Sequence, residues 1–229
     1  MDFQLSDCLH DSFLLMTIPE IIAVVTGILS VWFARKESIL VYPVGIISVL
    51  LYVYICFEVK LYADGLINAY YFVVSVYGWY YWKFGGKVSR QDNKPVAQEL
   101  DAPYVFETAD PISKESKISW NRKAENVYYL AGTTFLALLF GYILNEHTDS
   151  VVAYWDGATT AVFFIAMLLM ARKKIENWIY WIAGDMVCIP LFFSKGLCLS
   201  SIQYLIFTVI AIAGLIAWIK KYNTLKAAK

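Results

Sequence analysis

The sequence predicts an all-α membrane protein with seven transmembrane helices, arranged as two parallel three-helix repeats joined by a linker helix. Three observations predict it: the amount of apolar chain, the alternation of basic residues between the apolar runs, and a self-similarity at a displacement of about 136 residues. Of the 229 residues, 59% are hydrophobic and 17% aromatic, with a mean hydropathy of +0.55. That is too apolar for a water-soluble domain of this length. Charge is balanced, 19 basic against 19 acidic residues, so no basic field points to nucleic acid.

A bilayer core of about 30 Å needs roughly 20 apolar residues in a helix, because only internally hydrogen-bonded backbone survives there. Seven runs approach that length: Ile18 to Ala34, Ile39 to Phe57, Leu61 to Phe84, Val127 to Leu144, Val151 to Ala171, Trp178 to Phe193 and Leu197 to Ile219. The segment ahead of the first run carries Asp2, Asp7 and Asp11 and no basic residue, unlike a cleavable secretory signal, so the first run is expected to remain as a helix.

Basic residues are retained on the cytoplasmic side of short loops. Arg35 and Lys36 follow the first helix, eight basic residues between Lys83 and Lys123 follow the third, Arg172 to Lys174 follow the fifth, and four lysines form the tail. Only Lys60 and Lys195 remain for the other side, which predicts an outer N-terminus and a cytoplasmic C-terminus. The long connection from Gly85 to Glu125, broken by Pro95, Pro103 and Pro111, reads as a cytoplasmic linker; Trp120, Arg122 and Lys123 are expected to anchor the fourth helix at the interface.

At the 136-residue displacement, Glu20 meets Asp156, and Asn68, Tyr71, Gly78 and Trp82 meet Tyr204, Phe207, Gly214 and Trp218; Ala34-Arg35-Lys36 resembles Ala171-Arg172-Lys173. Two three-helix units joined directly would point in opposite directions, so the fourth helix is read as the element that restores a parallel repeat. The chain then divides into residues 1–84, 85–150 and 151–229: first repeat, loop with linker helix, and second repeat with tail.

Ionisable groups within spans mark functional sites by default. Asp185 is the deepest, about 10 Å beyond Trp178 at 1.5 Å per residue. Trp178, Trp181 and Asp185 share one helical face, and two indoles beside a carboxylate suit a flat cationic ligand. An interfacial role for Trp178 and an interhelical hydrogen bond for Asp185 are the structural alternatives. Helix three presents Asp64, Asn68, Tyr71, Ser75, Gly78 and Trp82 in one stripe; helix seven offers Gln203 with Tyr204 beside it. Asn68 and Gln203 can donate and accept at once, as ribose hydroxyls or a carboxamide require, or as contacts between helices require. Glu20, Asp64 and Asp156 suggest an acidic outer vestibule, and Pro43 and Pro190 suggest kinks in helices two and six. The four cysteines, Cys8, Cys56, Cys188 and Cys198, lack metal-ligand spacing and read as packing thiols; His10 and His147 have no partner at such spacing, so no metal or cofactor is expected.

Tyr62-Ala63-Asp64 leading into Tyr77-Gly78-Trp79 and Trp82, the Trp178-x-x-Trp181-x-x-x-Asp185 block, and Gly214 with Trp218 together resemble the PnuC family of nicotinamide riboside transporters. The resemblance implies a SWEET-like 3+1+3 fold in the bacterial inner membrane and a homotrimer. It also implies facilitated diffusion of nicotinamide riboside, trapped afterwards by a cytosolic kinase. Asn68, Tyr71, Trp178, Trp181, Asp185, Gln203 and Tyr204 are the expected substrate-binding residues. A sugar carrier, or a carrier of another aromatic cation such as thiamine, would use similar aromatic and amide groups; an enzyme is not expected, since no phosphate-binding loop or nucleophile motif is present.

Overall fold

The computed structural model describes residues 16–58, 62–85, 116–148, 152–194 and 197–227. They form seven helices: α1 Ile18–Arg35, α2 Val41–Glu58, α3 Tyr62–Phe84, α4 Lys123–His147, α5 Ala153–Ala171, α6 Asn177–Ser194 and α7 Cys198–Ala227. Five of them, α1, α2, α4, α5 and α7, are long and apolar enough to cross a membrane. The other two carry the polar residues that lower their hydropathy, Asp64 and Asn68 in α3 and Asn177 and Asp185 in α6.

The ends of the helices follow local chemistry. Thr17 and Glu20 form a reciprocal capping box at the start of α1, so Glu20 caps that helix. Lys123 begins α4 one turn earlier than its apolar run, because the Glu125 carboxylate accepts the Arg122 amide at 2.7 Å. The tail extends α7 past Ile219 to Ala227 through residues that favour helix. Pro43 lies in the first turn of α2, where a missing amide hydrogen costs nothing, so it does not interrupt that helix; Pro190 does lie inside α6.

Each helix packs on defined neighbours: α1 on α2, α2 on α3, α3 on α5, α5 on α6, α6 on α7, and α7 back on α1. Six helices therefore close a ring. Outside it, α4 packs among the described helices on α5 alone, at a crossing so close that a side chain on Gly157 would meet the backbone of Phe140 and Gly141. Apolar side chains over much of the outer surface stay exposed, as lipid contact requires, while polar Ser48, Ser75, Thr159, Asp185, Ser201 and Thr208 are buried.

The two seams that close the ring are made alike. Trp82 of α3 donates its indole N–H to the Met170 carbonyl at the end of α5, and Trp218 of α7 donates to the Ala34 carbonyl at the end of α1, both at 3.1 Å. Donors and acceptors are each 136 positions apart. The α1–α2 and α5–α6 turns correspond in the same way, with Glu37 and Lys173 both left-handed, at φ 54° and 53°. One cysteine expectation needs correction. Cys56 and Cys188 are free, but Cys198, the first residue of α7, is disulfide-bonded.

Candidate functional site

Basic residues gather at one end of the ring, and there the interior is shut by four aromatic side chains. Tyr42 and Trp82 meet edge to face at 5.2 Å, Trp178 and Trp218 meet edge to face at 5.5 Å, and the two tryptophans Trp82 and Trp218 lie 6.0 Å apart between them. All four are fully buried. Glycine makes room for two of them: a Cβ on Gly78 would stand 2.5 Å from Tyr42, and one on Gly214 would stand 2.7 Å from Trp178. Trp178 thus belongs to this plug, with its indole N–H and the Tyr42 hydroxyl buried without a hydrogen-bond partner among the described residues.

Two turns further along α6 lies Asp185, 1% exposed. Tyr71 of α3, Tyr204 of α7 and Cys188 of α6 are within electrostatic reach of it. Thr159 of α5 and Tyr204 lie beside Cys188 in turn. Beside this polar group runs a ladder of rings. Trp181 stacks on Phe163 at 5.3 Å, and Phe163 lies parallel to Tyr204, 5° between planes, at 6.1 Å; Phe192 closes on the other side of Tyr204 at 5.0 Å. Tyr71 meets Phe164 at 5.9 Å, while Tyr70 stacks on Phe164 at 4.0 Å and donates its hydroxyl to the Phe164 carbonyl.

Of the residues expected from sequence, the fold brings Tyr71, Trp181, Asp185 and Tyr204 together. Trp178 stands in the plug. Gln203 lies beside Tyr52 and faces a cavity of about 180 Å³ between α1 and α7, lined otherwise by apolar residues such as Ile21, Val24, Ile28 and Ile202. That cavity contains none of the charged or aromatic residues around Asp185, and its chemistry suits hydrocarbon. Asn68 donates to the Asp64 carbonyl one turn back on its own helix, at 2.9 Å.

Phe163 and Thr159 on α5 and Cys188 on α6 join the group without having been foreseen. The one sequence signal for Phe163 is Gly184, whose missing side chain is the space the phenyl ring occupies. A phenylalanine in an apolar helix otherwise looks like lipid-facing bulk. The resulting site is a buried carboxylate, two tyrosine hydroxyls, and stacked rings of the size of a small heteroaromatic. Such a site attracts a flat cation through the carboxylate and the ring faces together. Among the described residues, no group of three or more His, Cys, Asp or Glu side chains is placed to hold a metal.

The profile of a family described as nicotinamide mononucleotide transporter matches residues 17–220, almost the whole helical ring. This chain belongs to that family. It is 28% identical over 215 residues to the nicotinamide riboside transporter PnuC of Escherichia coli strain K12, covering 87% of this chain and 84% of that protein. It is 24% identical over 196 residues to the riboflavin/roseoflavin transporter RibM of Streptomyces davaonensis, covering 85% and 81%. In fold it resembles the crystal structure of the vitamin B3 transporter PnuC, with a TM-score of 0.64 over 94% of this chain and 88% of that one. The family and these relatives are transporters, and this chain is a membrane transporter and not an enzyme.

Proposed function

We propose that the chain carries nicotinamide riboside through the six-helix ring, with the pyridinium ring held beside Asp185 and against Trp181, Phe163 and Tyr204. One observation carries the reading: a carboxylate 1% exposed, among tyrosine hydroxyls and stacked rings and with no cationic side chain hydrogen-bonded to it among the described residues. Burying a carboxylate costs several kcal/mol unless a cation offsets it. A flat cationic substrate supplies that charge, and the hydroxyls of Tyr71 and Tyr204 suit its ribose and carboxamide. Trp178, Gln203 and Asn68 would act at the edges of this site, Trp178 at its floor where the plug begins.

The architecture that supports this reading is a pair of parallel three-helix repeats, α1–α3 and α5–α7, with α4 as the linker, seven spans in all. The matched seams at Trp82 and Trp218 and the paired left-handed turns support it. The basic end faces the cytoplasm, the N-terminus lies outside, and the disulfide at Cys198 falls at the outer end, where an oxidising compartment preserves it. The membrane is the inner membrane of a bacterium, and the assembly a homotrimer. Transport is facilitated diffusion by alternating access, made inward by a cytosolic kinase that phosphorylates the riboside.

The test is uptake of radiolabelled nicotinamide riboside into proteoliposomes that contain only this protein. Saturable uptake, competed poorly by sugars, is the expected result; uptake equal to that of protein-free liposomes would dismiss the proposal. Competition by thiamine or riboflavin at equal concentration would move the assignment to another aromatic vitamin.

A further inference from the structure

The last described part of the long connection before α4, Ser116 to Asn121, is extended and lies against the basic end of the ring. At one end it is held by a single backbone bond, from the Ser116 amide to the Trp82 carbonyl at 3.2 Å. Further along it is bonded repeatedly to the α5–α6 turn. The Ser119 amide donates to the Lys173 carbonyl at 3.1 Å, the Ile175 amide donates to the Ser119 carbonyl at 3.0 Å, and the Asn121 amide donates to the Glu176 carboxylate at 2.8 Å. Between these points Ile118, 5% exposed, packs into the cluster that contains Tyr42, Trp82, Trp178 and Trp218.

Lys173 ties this segment to the rest of the ring. Its ammonium donates to the Ser116 carbonyl at 2.8 Å and to the Glu37 carboxylate at 2.9 Å, and lies 4.5 Å from the centre of the Trp82 ring. Glu37, in the α1–α2 turn, also pairs with Lys221 of α7. One buried cation thus joins the segment, the α1–α2 turn, the α5–α6 turn and α3, directly above the aromatic plug.

We propose that Ser116–Asn121 is a strap that latches the basic mouth of the ring, and that substrate passes this end only when the strap leaves α3. Its bonds to the α5–α6 turn outnumber its one bond to α3, so the strap travels with α5 and α6. Opening then breaks the Ser116–Trp82 bond, withdraws Ile118 from the plug and parts Lys173 from Glu37. The buried Trp178 N–H and Tyr42 hydroxyl, unpartnered while the plug is shut, gain access to water or substrate when it opens. The inference rests on the ring being the pathway and is independent of which cargo it carries.

The experiment follows a thiol placed below the plug. Ala211 of α7 is 1% exposed in the same cluster, and Ala211→Cys in a chain with Cys56 and Cys188 replaced by alanine reports opening. A membrane-impermeant maleimide is applied to the basic face of oriented vesicles holding the full chain, and separately to the opposite face. Ile118→Ala, which empties the strap's seat, and Lys173→Asn, which keeps a residue tolerant of left-handed φ but deletes the ammonium, should each raise labelling from the basic face about tenfold, the ratio set by about 1.4 kcal/mol of latch strength. Lys117→Ala, on the exposed side of the strap, should label at the parental rate. Parental labelling of both Ile118→Ala and Lys173→Asn, or an equal rise from both faces that signals general loosening, would overturn the proposal. Because no substrate is present, failure of this test and failure of the riboside assignment are read separately.

Discussion

Replacing Asp185 by asparagine removes the charge and keeps the shape, and the two roles open to Asp185 predict opposite outcomes. The carboxylate is 1% exposed and lies within reach of Tyr71, Tyr204 and Cys188, none of them cationic. If a cationic ligand supplies its partner, Asp185→Asn should weaken nicotinamide riboside binding by about 3 kcal/mol, or about 100-fold in Kd, the usual consequence of truncating one side of a buried charge pair. The ligand-free protein should become more stable, because a desolvated charge has gone; relief of about 1 kcal/mol corresponds to a rise of roughly 2–4 °C in Tm for a chain of this length. Isothermal titration and scanning fluorimetry of purified protein, with and without the riboside, measure both. Affinity within threefold of the parent, or a lower Tm for the ligand-free variant, would refute the reasoning, since the second outcome is what a purely structural carboxylate gives.

Trp82→Phe and Trp218→Phe each remove the indole donor from a carbonyl, Met170 or Ala34, that keeps the amide of Lys173 or Glu37, and each should lower Tm by an amount equivalent to about 1 kcal/mol. The two losses should match within error, and a large inequality would mean the seams are not equivalent. Phe163→Ala removes the middle ring of the ladder between Trp181 and Tyr204 and should weaken riboside binding by about tenfold, with Phe163→Tyr restoring most of it. Undiminished affinity in Phe163→Ala would take that residue out of the site.

Helix number and most helix boundaries were legible in the sequence, because the bilayer's demand for internally bonded backbone writes long apolar runs. The pairing of Gly78 with Gly214 and Trp82 with Trp218 was legible for a related reason: each contact at one seam reappears at the other. Asp185 and Trp181 stood out as residues too polar or too amphipathic for lipid. What lay hidden depends on which neighbour fills a space. Phe163 differs from lipid-facing phenylalanines only in meeting Gly184, and Trp178 differs from Trp181 only in meeting Gly214 at the plug. The capping role of Glu20 was hidden because its partner, the Thr17 amide, is invisible in a hydropathy pattern. The strap was hidden for the same reason: its backbone bonds leave no side-chain signature beyond one isoleucine in a polar loop. Cys8, His10, Lys60, Lys195 and most of the loop lie outside the described residues.

The seams and the lumen place different demands on heredity. Seam positions 136 apart hold the same partners: Gly78 and Gly214 seat an aromatic ring, Trp82 and Trp218 cap a helix end. Lumen positions 136 apart do not: Gly27 answers Phe163, Gly45 answers Trp181 and Val49 answers Asp185. Closure of the ring thus makes the same demand at both seams, whereas Phe163, Trp181 and Asp185 stand on α5 and α6 with no like residue 136 positions earlier, and Tyr71 of α3 is added to them from across the ring. A bundle built this way can alter the residues around Asp185 while both seams that close the ring stay as they are.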